Sequence, residues 1–81
     1  MTPEMMRAIF VEELVRIAPD IDPMTLGDDD HLQEDLELDS MDFLNLVSAL
    51  HQRLNIEIAE ADYRHLSSTG SALQFLLAKQ G

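Results

Sequence analysis

Cysteine is absent from the chain, and so is tryptophan. Without cysteine there is no disulfide staple, no thiolate metal site and no cysteine nucleophile. Bases are scarce: five Lys and Arg stand against sixteen Asp and Glu, a formal net charge of −11. So few cations cannot neutralise a phosphate backbone, which excludes nucleic-acid partners and disfavours anionic membrane surfaces. Charge of this sign instead draws in basic partners by long-range attraction. No apolar run approaches the length of a membrane span, and no basic stretch leads from Met1 into an apolar one. The expectation is a cytoplasmic protein without stable membrane insertion. The pattern His-Glu-x-x-His, the glycine-rich phosphate loops and the Gly-x-Ser-x-Gly elbow are missing too. Zinc-protease, nucleotide-binding and serine-hydrolase chemistry therefore have no motif to rest on, and no catalytic residue is assigned.

What is present suits one small domain spanning residues 1–81. The 46% hydrophobic content is that of a globular chain, but 81 residues enclose only a modest core. Thr2-Pro3-Glu4 is a helix start: a hydroxyl to cap, proline for the first helical position, an acid at the positive end of the dipole. Met6, Ile9, Phe10, Leu14 and Ile17 recur at spacings of three and four, and Pro19 ends the helix near Ile17. The stretch from Pro19 to Asp39 is irregular and acidic, with Leu26, Leu32 and Leu36 as candidate pins to the core. A loop of about twenty residues in so small a domain is expected to be functional.

A second helix begins at Ser40 or Met41, with Asp39 and Ser40 both competent caps. Its inward face reads Leu44, Val47, Leu50 and Leu54, flanked by Met41, Phe43 and Leu46. Asn55 to Ile58 reads as a short extended connection, Glu60 to Leu66 as one or two helical turns. Ser67-Ser68-Thr69 caps a last helix carrying Ala72, Leu73, Leu76 and Leu77, and Gly81 closes the chain. The fold expected is all-α: a small four-helix bundle of three main helices and one short one, with a long loop between the first two.

Asp35, Glu37 and Asp39 alternate like the first ligands of a calcium-binding EF-hand loop. The positions that need glycine and a bidentate glutamate hold Ser40 and Leu46, so that reading fails. A weak divalent site among Asp28, Asp30, Glu34, Asp35 and Glu37 is less well supported than a solvated acidic loop, and no metal site is assigned. His31, His51 and His65 read as surface residues. Met41, beside an exposed helix start, reads as a partner contact. Ser40 is the residue left over. A helix cap is its simplest role, yet Asp39 caps equally well, so capping alone does not require both.

The segment LELDSMDFLNLVSALHQRLNIEI, with Asp39-Ser40-Met41 opening the second helix, resembles the acyl carrier protein family. The resemblance extends to the first helix, the long loop with Pro23 and Leu36, the Ile56/Ile58 connection and the terminal helix. It implies that Ser40 carries covalent 4′-phosphopantetheine, placed there from coenzyme A by a separate phosphopantetheinyl transferase using Mg²⁺. The thiol of that arm would hold acyl groups as thioesters, so the reactive sulfur comes from the cofactor. It further implies a monomer, with Asp39 recognised by the transferase. Met41, Asp42, Asn45 and Ser48 would meet acyl-loading and acyl-transferring enzymes with basic surfaces, in fatty acid, lipid or related biosynthesis. Leu44, Val47, Leu50, Ile58, Leu66, Ala72 and Leu73 are the candidate lining for an acyl chain. The alternatives are an aminoacyl or peptidyl carrier, and an unmodified acidic interaction domain.

Several positions depart from the family pattern. Glu37 stands where glycine is usual, two before Asp39, which makes positive φ harder to adopt there. Ala59 replaces a proline and Thr69 a valine. The second helix has Asp42 but then Asn45, Ser48, His51, Gln52 and Arg53, where acids are usual; the acid sits instead between Asp28 and Asp39. That redistribution suggests a specialised stand-alone carrier with its own partners.

Overall fold

Thr2 and Pro3 open the first helix as their chemistry requires. Helix α1 runs Pro3–Ile17, and the Thr2 hydroxyl accepts the Met5 N–H at 3.2 Å. In this computed structural model, which describes residues 1–80, three further helices follow. They are α2 (Ser40–Leu54), a 3-10 helix (Glu60–Leu66) and α3 (Thr69–Gln80). Gly81 and its expected closing role lie outside the described residues. The architecture is the four-helix, all-α bundle anticipated, about 30 × 25 × 20 Å.

Each boundary has a local cause. Helix α2 stops at Asn55, whose backbone turns left-handed (φ 55°, ψ 44°), a conformation asparagine tolerates well. The 3-10 helix starts where the Asp62 carboxylate accepts the Ala59 N–H at 3.0 Å. Helix α3 is capped by Ser68, whose hydroxyl accepts the Ser71 N–H at 3.3 Å.

Met6, Phe10 and Leu14 of α1 are fully buried against Leu50 of α2 and Ala72 and Leu76 of α3, all at 0% exposure. The inward stripe of α2 is Phe43, Leu46, Val47, Leu50 and Leu54. This corrects the sequence reading at one end of the helix. Leu44 was expected inward and is 44% exposed, while Phe43 is buried. Both readings share Val47, Leu50 and Leu54. Orientation at the start of the helix is settled by the larger ring, which buries more apolar area and meets Tyr63 edge to face.

The long loop is pinned as expected by Leu26 and Leu32, but its third anchor is Leu38; Leu36 is only half-buried. The loop is also sewn to the start of α3. Leu32 N–H donates to the Ser67 carbonyl at 2.9 Å, Thr69 N–H to Asp30 at 3.2 Å and Gly70 N–H to Asp28 at 2.9 Å. Gly70 belongs at that crossing: a Cβ there would sit 3.2 Å from the Asp28 carbonyl oxygen. From the other side, Arg7 of α1 holds the Asp28 carboxylate and donates to the Leu26 carbonyl at 2.9 Å.

Two buried polar groups were not foreseen. Glu13, only 4% exposed, receives Arg53 Nη1 of α2 at 2.7 Å, and the same nitrogen reaches Glu12 at 2.9 Å. Thr69 is fully buried, and its hydroxyl has no hydrogen-bond partner among the described residues. A buried hydroxyl without a partner loses its hydration for no return. Thr69→Val keeps the shape and removes that cost. It should raise stability by about 1 kcal/mol, read from the urea midpoint. A variant less stable than wild type would mean that the hydroxyl finds a partner.

Candidate functional site

The question of which residue caps α2 is settled by geometry. Asp39 is extended (φ −82°, ψ 177°), and its carboxylate accepts the Asp42 N–H at 2.7 Å. Its carbonyl takes the Phe43 N–H at 3.0 Å. Ser40 is therefore the first helical residue, exposed, and its hydroxyl makes no hydrogen bond among the described residues. With Asp39 holding the cap, Ser40 Oγ is free to be modified at no cost to the helix. The N–H groups of Ser40 and Met41 are the leading donors that every helix start leaves open. Together with the dipole they favour an anion on that oxygen.

The backbone just before the site is strained. Glu37 adopts φ 61°, so the position takes up the left-handed turn even without glycine. The turn sends Leu38 into the core, where its N–H donates to the Leu32 carbonyl at 3.1 Å, and delivers Asp39 to the helix start. A side chain in that region costs about 1–2 kcal/mol, partly offset by the freedom glycine would add to the unfolded chain. Glu37→Gly should therefore stabilise the protein by about 0.5–1 kcal/mol in chemical denaturation, leaving the site intact. A loss of stability would show that the Glu37 side chain supplies a compensating contact.

Beside Ser40 lies an open groove of about 440 Å³, lined by Gln33, Ser40, Phe43, Leu44, Tyr63, Arg64 and Ser67. Its walls are the start of α2 and the 3-10 helix. Phe43 and Tyr63 meet with ring centroids 5.6 Å apart and planes at 79°. Arg64 is exposed and, unlike Arg7, Arg16 and Arg53, has no ion pair among the described residues. An exposed hydroxyl, open N–H donors and a groove holding a cation suit a covalent phosphodiester arm.

The expected site residues are distributed unevenly. Met41 (67% exposed), Asn45 and Ser48 share an outward face of α2 with Leu44, while Asp42 is half-buried beside the cap. Of the candidate lining, Leu44 is on the groove beside Ser40. Val47, Leu50, Leu66 and Ala72 are packed in the core, and Ile58 is half-buried against it. Leu73 lines a different groove, of about 290 Å³, with Pro3, Arg7 and Leu77. Tyr63, Arg64, Gln33 and Ser67 were missed. A seven-residue 3-10 segment has no periodicity that tells which side chains turn toward a neighbour.

Three acids of the long loop serve backbone turns. Asp22 accepts the Met24 N–H at 2.9 Å, Asp30 that of Gly27 at 2.8 Å and Asp35 that of His31 at 2.9 Å. Among the described residues no three acids or histidines gather as a ligand set for a metal ion. No described helix is long and apolar enough to cross a membrane.

A small helical bundle with an exposed, unbonded serine at a helix start is suited to holding a covalently attached group for others to act on. Comparison with known proteins defines the class further. Residues 7–76 match the family described as "Phosphopantetheine attachment site". The acyl carrier protein of Sulfurovum sp. is 32% identical over 66 residues, 82% of this chain and 88% of that protein. That of Wolinella succinogenes is 30% identical over 85% of this chain and 93% of its own length. A solution structure of a candidate acyl carrier protein from Anaplasma phagocytophilum superposes with a TM-score of 0.89. It is 25% identical, covering all of this chain and 94% of the other. The chain belongs to the acyl carrier protein family. Its cofactor is phosphopantetheine, and the family is not itself catalytic.

Proposed function

We propose that Ser40 Oγ is the atom to which 4′-phosphopantetheine is attached, and that residues 1–81 form one carrier domain. The observation that carries this reading is the division of labour at the start of α2: Asp39 caps, and the exposed Ser40 hydroxyl is unbonded. The bound group supplies a thiol that holds acyl cargo as a thioester, so the chain's own task is to present it. Ser40 fixes the tether, the open N–H groups of Ser40 and Met41 favour the phosphodiester charge, and Arg64 on the wall of the same groove adds positive charge.

A separate transferase makes the attachment from coenzyme A and recognises Asp39. Enzymes with basic surfaces that load and unload acyl groups read the outward face of α2 through Met41, Asp42, Asn45 and Ser48, to which Leu44 is now added. That face is nearly neutral, so docking there rests on apolar contact, while the acidic loop steers the approach. Incubation with a phosphopantetheinyl transferase, coenzyme A and Mg²⁺ tests the reading. The intact mass should rise by one phosphopantetheine and no more; an unchanged mass contradicts it.

A further inference from the structure

The groove beside Ser40 is lined by two rings in contact with each other. Phe43 belongs both to the groove wall and to the core, at 8% exposure, and Tyr63 packs on it edge to face from the 3-10 helix. The core those rings adjoin is closed to solvent: Leu46 and Leu66 are 2% exposed, Leu50 and Ala72 not at all. For a hydrocarbon tail to pass inward, Phe43 and Tyr63 must part and lose their mutual contact. Only buried methylenes return anything for that, so a tail of a few carbons gains too little. The groove itself is mostly apolar, lined by Phe43, Leu44 and Tyr63 with Gln33, Ser67 and the Arg64 guanidinium as its polar points, so a short alkyl group finds contact there without entering the bundle.

We infer that the Phe43–Tyr63 pair is a gate that keeps short acyl groups out of the core, so that the cargo stays in the surface groove against Leu44, Tyr63 and Arg64. This rests on Ser40 being the attachment point. The cargo class it selects is short acyl groups, held where a partner enzyme can reach the thioester without first opening the bundle.

The test loads the protein with butanoyl or hexanoyl arms, using the coenzyme A thioesters and a transferase. Thioester cleavage by hydroxylamine is then timed, each rate normalised to the same thioester of free pantetheine. In the wild type both cargoes should react within about twofold of the free thioester, since neither is sheltered. In Tyr63→Ala the hexanoyl thioester should become protected by about fivefold or more relative to butanoyl, because the gate is open. Tyr63→Phe, which keeps the ring, should match wild type. Wild-type protein that already shelters hexanoyl over butanoyl, or an open-gate variant that behaves as wild type, overturns the inference and leaves the attachment reading standing. Wild type that accepts no arm at all overturns both.

Discussion

Ser40→Ala folds as well as the wild type and takes up no phosphopantetheine. The two halves of this expectation have separate physical grounds. Stability is unaffected because the Asp39 carboxylate, at 2.7 Å from the Asp42 nitrogen, caps α2 without help from Ser40. Alanine is also a good helix former at an exposed first position, so the change should lie within about 0.5 kcal/mol. Loading falls to nothing because the oxygen that must form the phosphoester is gone. The contrast with Asp39→Ala makes the argument sharper. That variant keeps the nucleophilic oxygen but loses the cap, and should be less stable by about 1 kcal/mol. A Ser40→Ala protein that melts far below wild type would show that the hydroxyl supports the fold after all.

Arg53→Met is the substitution expected to cost the fold most among those outside the apolar core. Arg53 is the main partner of Glu13, a carboxylate only 4% exposed, with Nη1 2.7 Å from its oxygen. The remaining cation, Arg16, is 3.4 Å away and mostly exposed. Removing Arg53 leaves the buried Glu13 carboxylate poorly matched, and the urea midpoint should fall clearly below that of wild type. Adding Glu13→Leu to Arg53→Met should recover most of the loss, because the stranded charge is then absent. Failure to recover would place the cost in the lost packing of the Arg53 stem.

The same cluster gives stability a pH dependence of defined sign. The hydrogen bond and charge of Arg53 hold the Glu12 carboxyl below the usual carboxylate range, and the same contacts raise Arg53. A carboxylate whose pKa is lower folded than unfolded adds stability above its unfolded value. That contribution disappears as pH falls through the lowered folded value. The advantage of wild type over Arg53→Met should therefore shrink on acidification below the usual carboxylate range. Raising the pH through neutrality should leave it unchanged, because Arg53 stays protonated there. Urea melts at a series of pH values measure it.

The main helices were legible because their ends are written in short-range chemistry. Thr2 and Pro3, Pro19, and Ser67 with Ser68 each act on neighbours a few residues away, and the structure places the helix ends beside them. The tether point was legible as a pair, Asp39 and Ser40, but which member caps depends on backbone torsions that the sequence leaves free. Glu37 went the other way: a residue ill-suited to positive φ adopts it, because burying Leu38 and closing the loop outweigh the local strain. Leu44 and Phe43 compete for one inward position, and only the arrival of Tyr63 from the far side decides it. Glu13 carries no local sign of burial, since its partner lies forty residues away on another helix. Contacts of that reach have no local signal, and the groove wall of Tyr63 and Arg64 belongs to the same class.

The chain offers five serines, at positions 40, 48, 67, 68 and 71. Ser67 lines the same groove as Ser40, and Ser48 is exposed on α2, so an adduct on either is chemically conceivable. The decisive measurement is fragmentation mass spectrometry of the transferase-loaded protein, which assigns the added phosphopantetheine to one residue. The account predicts that every fragment bearing the adduct contains Ser40 and that the other four serines stay bare. An adduct found on Ser48, Ser67, Ser68 or Ser71, or spread among them, would contradict it.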